Sequence, residues 1–429
     1  MNKILSAHFR AYIQAMGKLQ LDIATSSDLI GVETKSTGLS LGGREPLKNG
    51  SAVFALGGRI NILKEIDQPA LIPHTAEENS QRYPYEVLFR SLHKLLMDTA
   101  ASEYLFCGDF FGEEFIFYDI FAGPFAVLYE HFNMVLPNCY DALGLMLMIR
   151  IVHEHQMVMF RQRIPCLDSY LDKVNTSLWF RFKLVLGMHL DSLRNGNIRI
   201  LLEDDVHPHY VMQHYAEFIA SLDVESLVNI DDQHGDGQLD LILGRLQMAI
   251  DDLLIKLAKT FTKPKLQATF LINNYDMTTA VLKKAGLKCE RTMTHCMHLA
   301  YSNGQIFVEE MLLEHFNDLI KFVESQDSEE SSSSAEKPLP TDLEPLVRDF
   351  LSRWKAAIKL MYEDVITTFS DSLCRKMILT LAHIQLTSYY KRFRECARRI
   401  EGSFNGSFNR DMFPVPYIFY EFKRYLKTL

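Results

Sequence analysis

A chain of 429 residues exceeds the roughly 250–300 residues over which one hydrophobic core keeps growing, so two or three domains are expected. With 48% hydrophobic and 23% charged residues the composition is that of an ordinary folded protein, which excludes global disorder. A formal net charge of −9 excludes the broad basic surface that replaces phosphate counterions, so no nucleic-acid partner is expected.

The chain opens on MNKILSAHFR, which meets His8 and Arg10 before any apolar run develops, so no cleavable signal is expected. The pattern predicts an N-terminal helix over about 4–30. Gly38 to Gly58 then carries six glycines and Pro46, the composition of a loop-rich connection, and the body begins near Tyr83. In YPYEVLFRSLHKLLMDTAASEYLF, Leu88, Leu92, Leu95 and Met97 keep the spacing of one wide helix face, with Phe89 and Leu96 beside them. FCGDFFGEEFIFYDIFAGPFAVLYEHF holds ten Phe or Tyr in 27 residues, more than one helix face can hide. Most should pack in the core, and only the surplus would be interface. The most apolar run, Ala142–Val152, is 11 residues long and contains Arg150, far short of the ~20 needed to cross a bilayer.

Helical periodicity returns over Leu239–Leu257, Phe307–Val323 and Leu343–Leu360, and alternating strands are hard to find. ESQDSEESSSSAEKPLP, Glu324–Pro340, is acidic, Ser-rich and closed by two prolines, and reads as a disordered linker or long exposed loop. No repeat of 30–45 residues recurs, against a regular helical solenoid. The expected organisation is an N-terminal helix and Gly-rich connection (1–82), central helical bundles (83–323), an acidic Ser-rich linker (324–341) and a C-terminal helical bundle (342–429). The fold class is all-α.

Several stretches imitate metal sites. HEH at His153–His155 lacks the second His of the zinc-protease helix, because position 157 is Met. On a helix His153 and His155 stand about 200° apart and cannot grip one ion. EDDVHPHY offers Glu203, Asp204, Asp205, His207 and His209, the ligand types of a hydrolytic metal, but acidic residues before a proline also begin helices. DQHGDG (232–237) resembles the start of an EF-hand loop whose twelfth position would be Leu243 instead of Glu. Cys289, His295, Cys296 and His298 match no standard finger spacing. No metal ligand set, catalytic group or cofactor is expected. Seven scattered cysteines without a C-x-x-C pair point away from a disulfide framework and toward a reducing, cytosolic setting. No phosphate-binding loop, nucleophile elbow or dinucleotide fingerprint occurs.

YPYEVLFRSLHKLLMDTAASEYLFCGDFF, GPFAVLYEHFNMVLPNCYDALGLMLMIRIVHEH, RIPCLDSYLDKVNTSLWFRFKLVLGMHLDSLRNGN and EDDVHPHYVMQHYAEF together resemble the plant-type Vps fifty-two subunit family of the GARP and EARP tethering complexes. The resemblance implies a CATCHR-like protein, an elongated rod of stacked helical bundles without enzymatic activity. It implies work on the cytosolic face of the trans-Golgi network and recycling endosomes, as a peripheral membrane protein. The partners implied are the other GARP/EARP subunits, SNAREs and a Golgi Rab-type GTPase. Family members carry a long N-terminal coiled-coil region ahead of the segment that starts here, so a shortened form that binds sister subunits poorly is expected. Gln213, His214 and Tyr215 stand where the family pattern leads to Arg-Arg-Tyr, which would weaken any partner contact made by that basic pair.

Residues 342–429 hold 15 Lys or Arg against 10 Asp or Glu, although the whole chain is acidic. In QLTSYYKRFRECARRI, Leu386, Tyr390, Phe393, Ala397 and Ile400 form one apolar stripe and leave Lys391, Arg394, Arg398 and Arg399 largely on the other side. A solvated face is one reading; the sharper one is contact with anionic lipid or with an acidic patch on a partner. The competing functions are a metal-dependent hydrolase built on Glu203–His209 and a helical scaffold unrelated to trafficking.

Overall fold

The computed structural model describes residues 1–32, 53–113, 115–201, 205–222, 238–286, 290–329, 340–403 and 412–429. Among these the fold is all-α, apart from two strands of two residues each, β1 (Gln20–Leu21) and β2 (Tyr83–Pro84), paired in parallel. The chain forms two compact units. The first comprises residues 1–201, 210–253 and 284–289; the second comprises 202–209, 254–283 and 290–429.

In the first unit α1 (Asn2–Gly17) ends earlier than the expected position near 30, because the chain turns into β1 and Tyr83 N–H donates to Leu19 O at 2.8 Å. Most of the Gly38–Gly58 stretch lies outside the described residues. A 3-10 segment (Gly57–Glu65) and α2 (Pro73–Glu78) follow it. α3 (Tyr85–Phe111) starts directly after Pro84 and stops at Gly112, whose φ of 71° is the left-handed conformation that terminates a helix at little steric cost. α4 (Phe115–Val135) returns alongside it and packs against α1, where Gly123 lies so close to Asn2 and Ser6 that a methyl group would clash.

α5 (Ala142–Gln162) is the centre of the unit. Asp141 caps its start by accepting from Gly144 N–H at 2.9 Å, and Leu143–Ile149, Ile151 and Val152 are all buried. A helix that is apolar nearly all round needs neighbours on every side. α3 and α6 (Asp168–Arg194) supply two of them, and the short α7 (Ile198–Leu201) and α8 (Tyr210–Ser221) follow in chain order. The segment after β1 is held against α6. Ile30 N–H donates to His189 Nδ1 at 3.3 Å and Gly31 N–H to Ser192 Oγ at 3.1 Å; a Cβ on Gly31 would come within 2.5 Å of the Ser192 carbonyl.

α9 (Gln238–Ala258) begins in the first unit, and its last turn belongs to the second. The second unit continues with α10 (Pro264–Ala285), α11 (Glu290–Glu329), α12 (Pro340–Thr368), α13 (Ser372–Ser403) and α14 (Pro416–Leu426). α11 runs on through Glu324 to Glu329, into the tract that composition assigns to a linker, while residues 330–339 of that tract lie outside the described residues. Its backbone departs from helical angles at Phe316 (φ −131°, ψ 28°). α11 and α13 pack face to face, helped by Gly304, where a Cβ would already stand 3.0 Å from Ile378 Cδ1. One continuous core joins α10 to α14 and includes Phe307, Leu312, Phe350, Trp354, Ile358, Leu386, Tyr390, Phe393 and Phe422.

Candidate interaction surface on the C-terminal helices

The basic face rests on a stripe of which the structure describes four of the five side chains, all of them buried. Leu386, Tyr390, Phe393 and Ala397 of α13 are fully buried, whereas the side chain of Ile400 lies outside the described residues. Tyr390 fixes the register. Its ring lies 5.0 Å from Phe350 and 4.9 Å from Phe413, and its hydroxyl donates to Phe413 O at 2.9 Å. With that side anchored, Lys391, Arg398 and Arg399 must point outward, and all three are exposed.

Arg394 differs from the other three. It is half-buried, its Nε is sealed from solvent, and its cation partly opposes the rise that burial imposes on the Tyr390 hydroxyl, which is pushed up to about 12. Arg399 Nη2 lies 4.0 Å from Glu395 Oε1, a solvent-exposed pair that leaves the guanidinium accessible. The face therefore presents three exposed cations and a fourth that is shared with the core.

Sequence reasoning did not single out the neighbouring α14. Ile418 and Phe422, four apart, are buried, so Tyr417 and Tyr420 face solvent and Lys423 Nζ sits 5.5 Å from the Phe419 ring. The signal was present as an apolar i, i+4 pair within PYIFYEFKRYL.

The metal-like stretches separate in space. His155 is buried in α5, stacked 6.3 Å from His93 of α3, while His153 and Glu154 stay half-buried on other sides of the helix. His207 is 78% exposed and pairs with Asp205, whereas His209 is buried with its backbone N–H donating to Asn274 Oδ1 at 2.8 Å. Glu203 and Asp204, residues 232–237 and Cys289 lie outside the described residues. Cys296 points into the core and His298 outward. Among the described residues no group of three or more His, Cys, Asp or Glu is arranged to hold a metal ion.

A cavity of about 380 Å³ in the first unit is lined by Gln20, Tyr85, Glu86, Cys139, Tyr140 and Asp141 among others. Burial, with the charge of Asp141, pushes the Cys139 thiol up to about 12, so it stays protonated at neutral pH and is a poor nucleophile. The position expected to have lost a basic pair is split by the fold. Gln213 is exposed and donates to Glu217 at 3.0 Å, while His214 is buried with its ring 4.5 Å from Phe54. Residue 214 thus packs inside the unit instead of presenting a side chain to a partner. Among the described residues no helix is long and apolar enough to cross a membrane.

Comparison with known proteins assigns the chain to a family. The family model described as "Vps52, C-terminal" matches residues 1–308. Vacuolar protein sorting-associated protein 52 A of Arabidopsis thaliana is 62% identical over 429 residues, all of this chain and 60% of that relative. Protein 52 B of the same plant is 60% identical over the same extent. The mouse vacuolar protein sorting-associated protein 52 homolog is 32% identical over 404 residues, which is 92% of this chain and 55% of the relative. The chain thus spans about 60% of the length of the plant relatives it matches. With a family model covering most of its residues and relatives matching along its whole length, the chain belongs to the Vps52 family.

Proposed function

We propose that this chain acts as a non-enzymatic subunit of a multisubunit tethering complex of the GARP/EARP type, which captures endosome-derived vesicles at the trans-Golgi network. Family membership carries this reading, and the names of the relatives associate them with vacuolar protein sorting. The sister subunits, SNAREs and a Golgi Rab-type GTPase are its partners, and its place is the cytosolic face of the trans-Golgi network and recycling endosomes. Helices that bury one face and leave another polar are suited to binding other proteins along their length. Affinity purification of the tagged chain from cells tests the assignment. Recovery of sister tethering subunits is expected to be weak, but above the level retained by an unrelated helical protein of similar charge. Their absence would sink it.

The exposed cations of α13 supply the membrane contact in this reading, with anionic lipid as the acidic surface. Basic groups near such a surface act additively and are screened by salt. The triple variant Lys391→Glu, Arg398→Glu, Arg399→Glu is expected to bind phosphatidylserine-containing vesicles at least ~10-fold more weakly at low salt. Its Tm should be unchanged, because none of the three is buried. Arg394 is left intact, since reversing a half-buried charge would also disturb the core. Equal vesicle binding by variant and parent would leave this face with a solvating role only.

A further inference from the structure

The hairpin of α3 and α4 in the first unit ends in aromatic residues exposed to solvent. Phe117, Phe121 and Phe132 are buried, but Phe106, Phe110, Phe111, Phe115 and Tyr118 face solvent, with Phe110 69% and Phe115 61% exposed. Three of these rings hold one another. Phe106 lies 5.3 Å from Phe110 and 6.2 Å from Phe111, and Phe110 lies 4.9 Å from Phe111. Exposed Leu105 extends the same end of α3. Isolated surface apolar residues need no explanation, but three large aromatic rings in mutual contact at one helix end, with exposed Phe115 opening the next helix, form a patch of the kind that marks an interaction site.

Charge decides what would cover it. From Leu95 to Ile149 the sequence contains no Lys or Arg and eight Asp or Glu. Asp109, Glu113 and Asp119, which lie within a few residues of Phe110, Phe111 and Phe115 in the chain, are exposed. An anionic membrane would meet this acidic rim with like charge. Two copies joined hairpin to hairpin would set the same carboxylates against one another.

We infer that the α3–α4 hairpin is a docking site for an amphipathic basic segment of another protein, one whose apolar side chains cover Phe106, Phe110, Phe111 and Phe115 and whose Lys or Arg residues meet Asp109, Glu113 and Asp119. An apolar helix face flanked by cations fits both halves of the surface. Aromatic anchors at the centre of such a patch carry most of the affinity, and the acidic rim sets the choice of partner and the rate of encounter. The inference stands on this surface alone and does not depend on the tethering reading.

The test uses the whole chain and two synthetic peptides, an amphipathic Leu/Lys helix and the same sequence with Glu in place of every Lys. Fluorescence anisotropy should show binding of the Lys peptide that weakens as salt is raised, and no binding of the Glu peptide. Phe110→Ser and Phe115→Ser should each lower affinity at least ~10-fold while leaving far-UV dichroism and Tm unchanged. Asp109→Lys with Glu113→Lys should shift preference toward the Glu peptide. A Lys-peptide affinity that does not depend on Phe110 or Phe115 would overturn the proposal. So would Phe110-dependent binding to phosphatidylcholine or phosphatidylserine vesicles, or Phe110-dependent dimerisation in sedimentation. In cells, a photo-crosslinker at position 110 of the chain should capture a segment with flanking Lys or Arg; an acidic segment, or no protein product, would overturn it equally.

Discussion

Replacing Arg59 with Met is expected to lower the stability of the first unit by about 3–5 kcal/mol at neutral pH, the range for breaking a buried ion pair on one side only. Arg59 Nε donates to Glu86 Oε1 at 2.7 Å and its Nη2 to Asp141 Oδ2 at 2.5 Å. Glu86 is 2% and Asp141 10% exposed at the side chain. One guanidinium therefore joins the 3-10 segment to the first turn of α3 and to the residue that caps α5. Burial works against its charge, but Asp141 and Glu86 more than compensate and raise its pKa above the usual arginine value. Burial also holds the Glu86 carboxyl above the usual range, with Arg59 pulling it partly back.

Without the guanidinium both carboxylates would be buried without a counterion. The folded-state pKa of Glu86 would climb further, so the folded form of the variant would bind protons more readily than the unfolded chain. Its stability deficit should thus shrink as pH falls and be greatest above neutrality. Chemical denaturation at two pH values measures this. The triple variant Arg59→Met, Glu86→Gln, Asp141→Asn should regain much of the loss, because neutral amides remove the stranded charge and Asn retains the helix cap. A single variant as stable as the parent at pH 8 would show that the network contributes little.

The second large effect concerns acid. Burial holds His93 down to about 4, His155 to about 3 and His189 to about 4. His93 and His155 face each other with Tyr170 beside them, and the positive charges of Arg90 and Lys94 further disfavour protonation of His155. Both ring nitrogens of His155 are buried without a hydrogen-bond partner. In the unfolded chain each histidine titrates near 6.5, so between about 6.5 and 4 the unfolded state binds more protons and stability falls with pH. The penalty approaches roughly 3 kcal/mol each for His93 and His189, an upper figure for a group held about two and a half units below its ordinary value, and extends further into acid for His155, which is held lower still. The parent is expected to lose Tm progressively from pH 6.5 to 4.5. His155→Leu should hold or raise the Tm at pH 7 and flatten the acid limb. An acid limb with the same slope in this variant would remove His155 from the account.

The sequence determined the helices themselves. The spacing of Leu88, Leu92 and Met97, with Leu95 half-buried and Phe89 and Leu96 buried beside them, and of Leu386, Tyr390, Phe393 and Ala397, survives into the structure because a helix side chain's direction depends on its place in the chain. For the same reason the outward direction of Lys391, Arg398 and Arg399 was legible, and so was the divergence of His153 from His155. The surplus of rings between Phe106 and Phe132 was legible as a surplus, and the absence of Lys and Arg around it could be read directly. Other features depended on residues far apart in sequence that approach only when helices pack. The end of α1 at Gly17 is set by pairing with residues 83–84, which lie more than sixty positions away. The Arg59–Glu86–Asp141 network, the His93–His155 stack and the burial of His214 against Phe54 all join separate elements. Their partners have no fixed spacing in the chain, so no local pattern announces them. Which five of ten rings remain outside was likewise decided by tertiary packing, since α3 and α4 can cover only the face that each turns toward its neighbours, and the hairpin end lies beyond their reach.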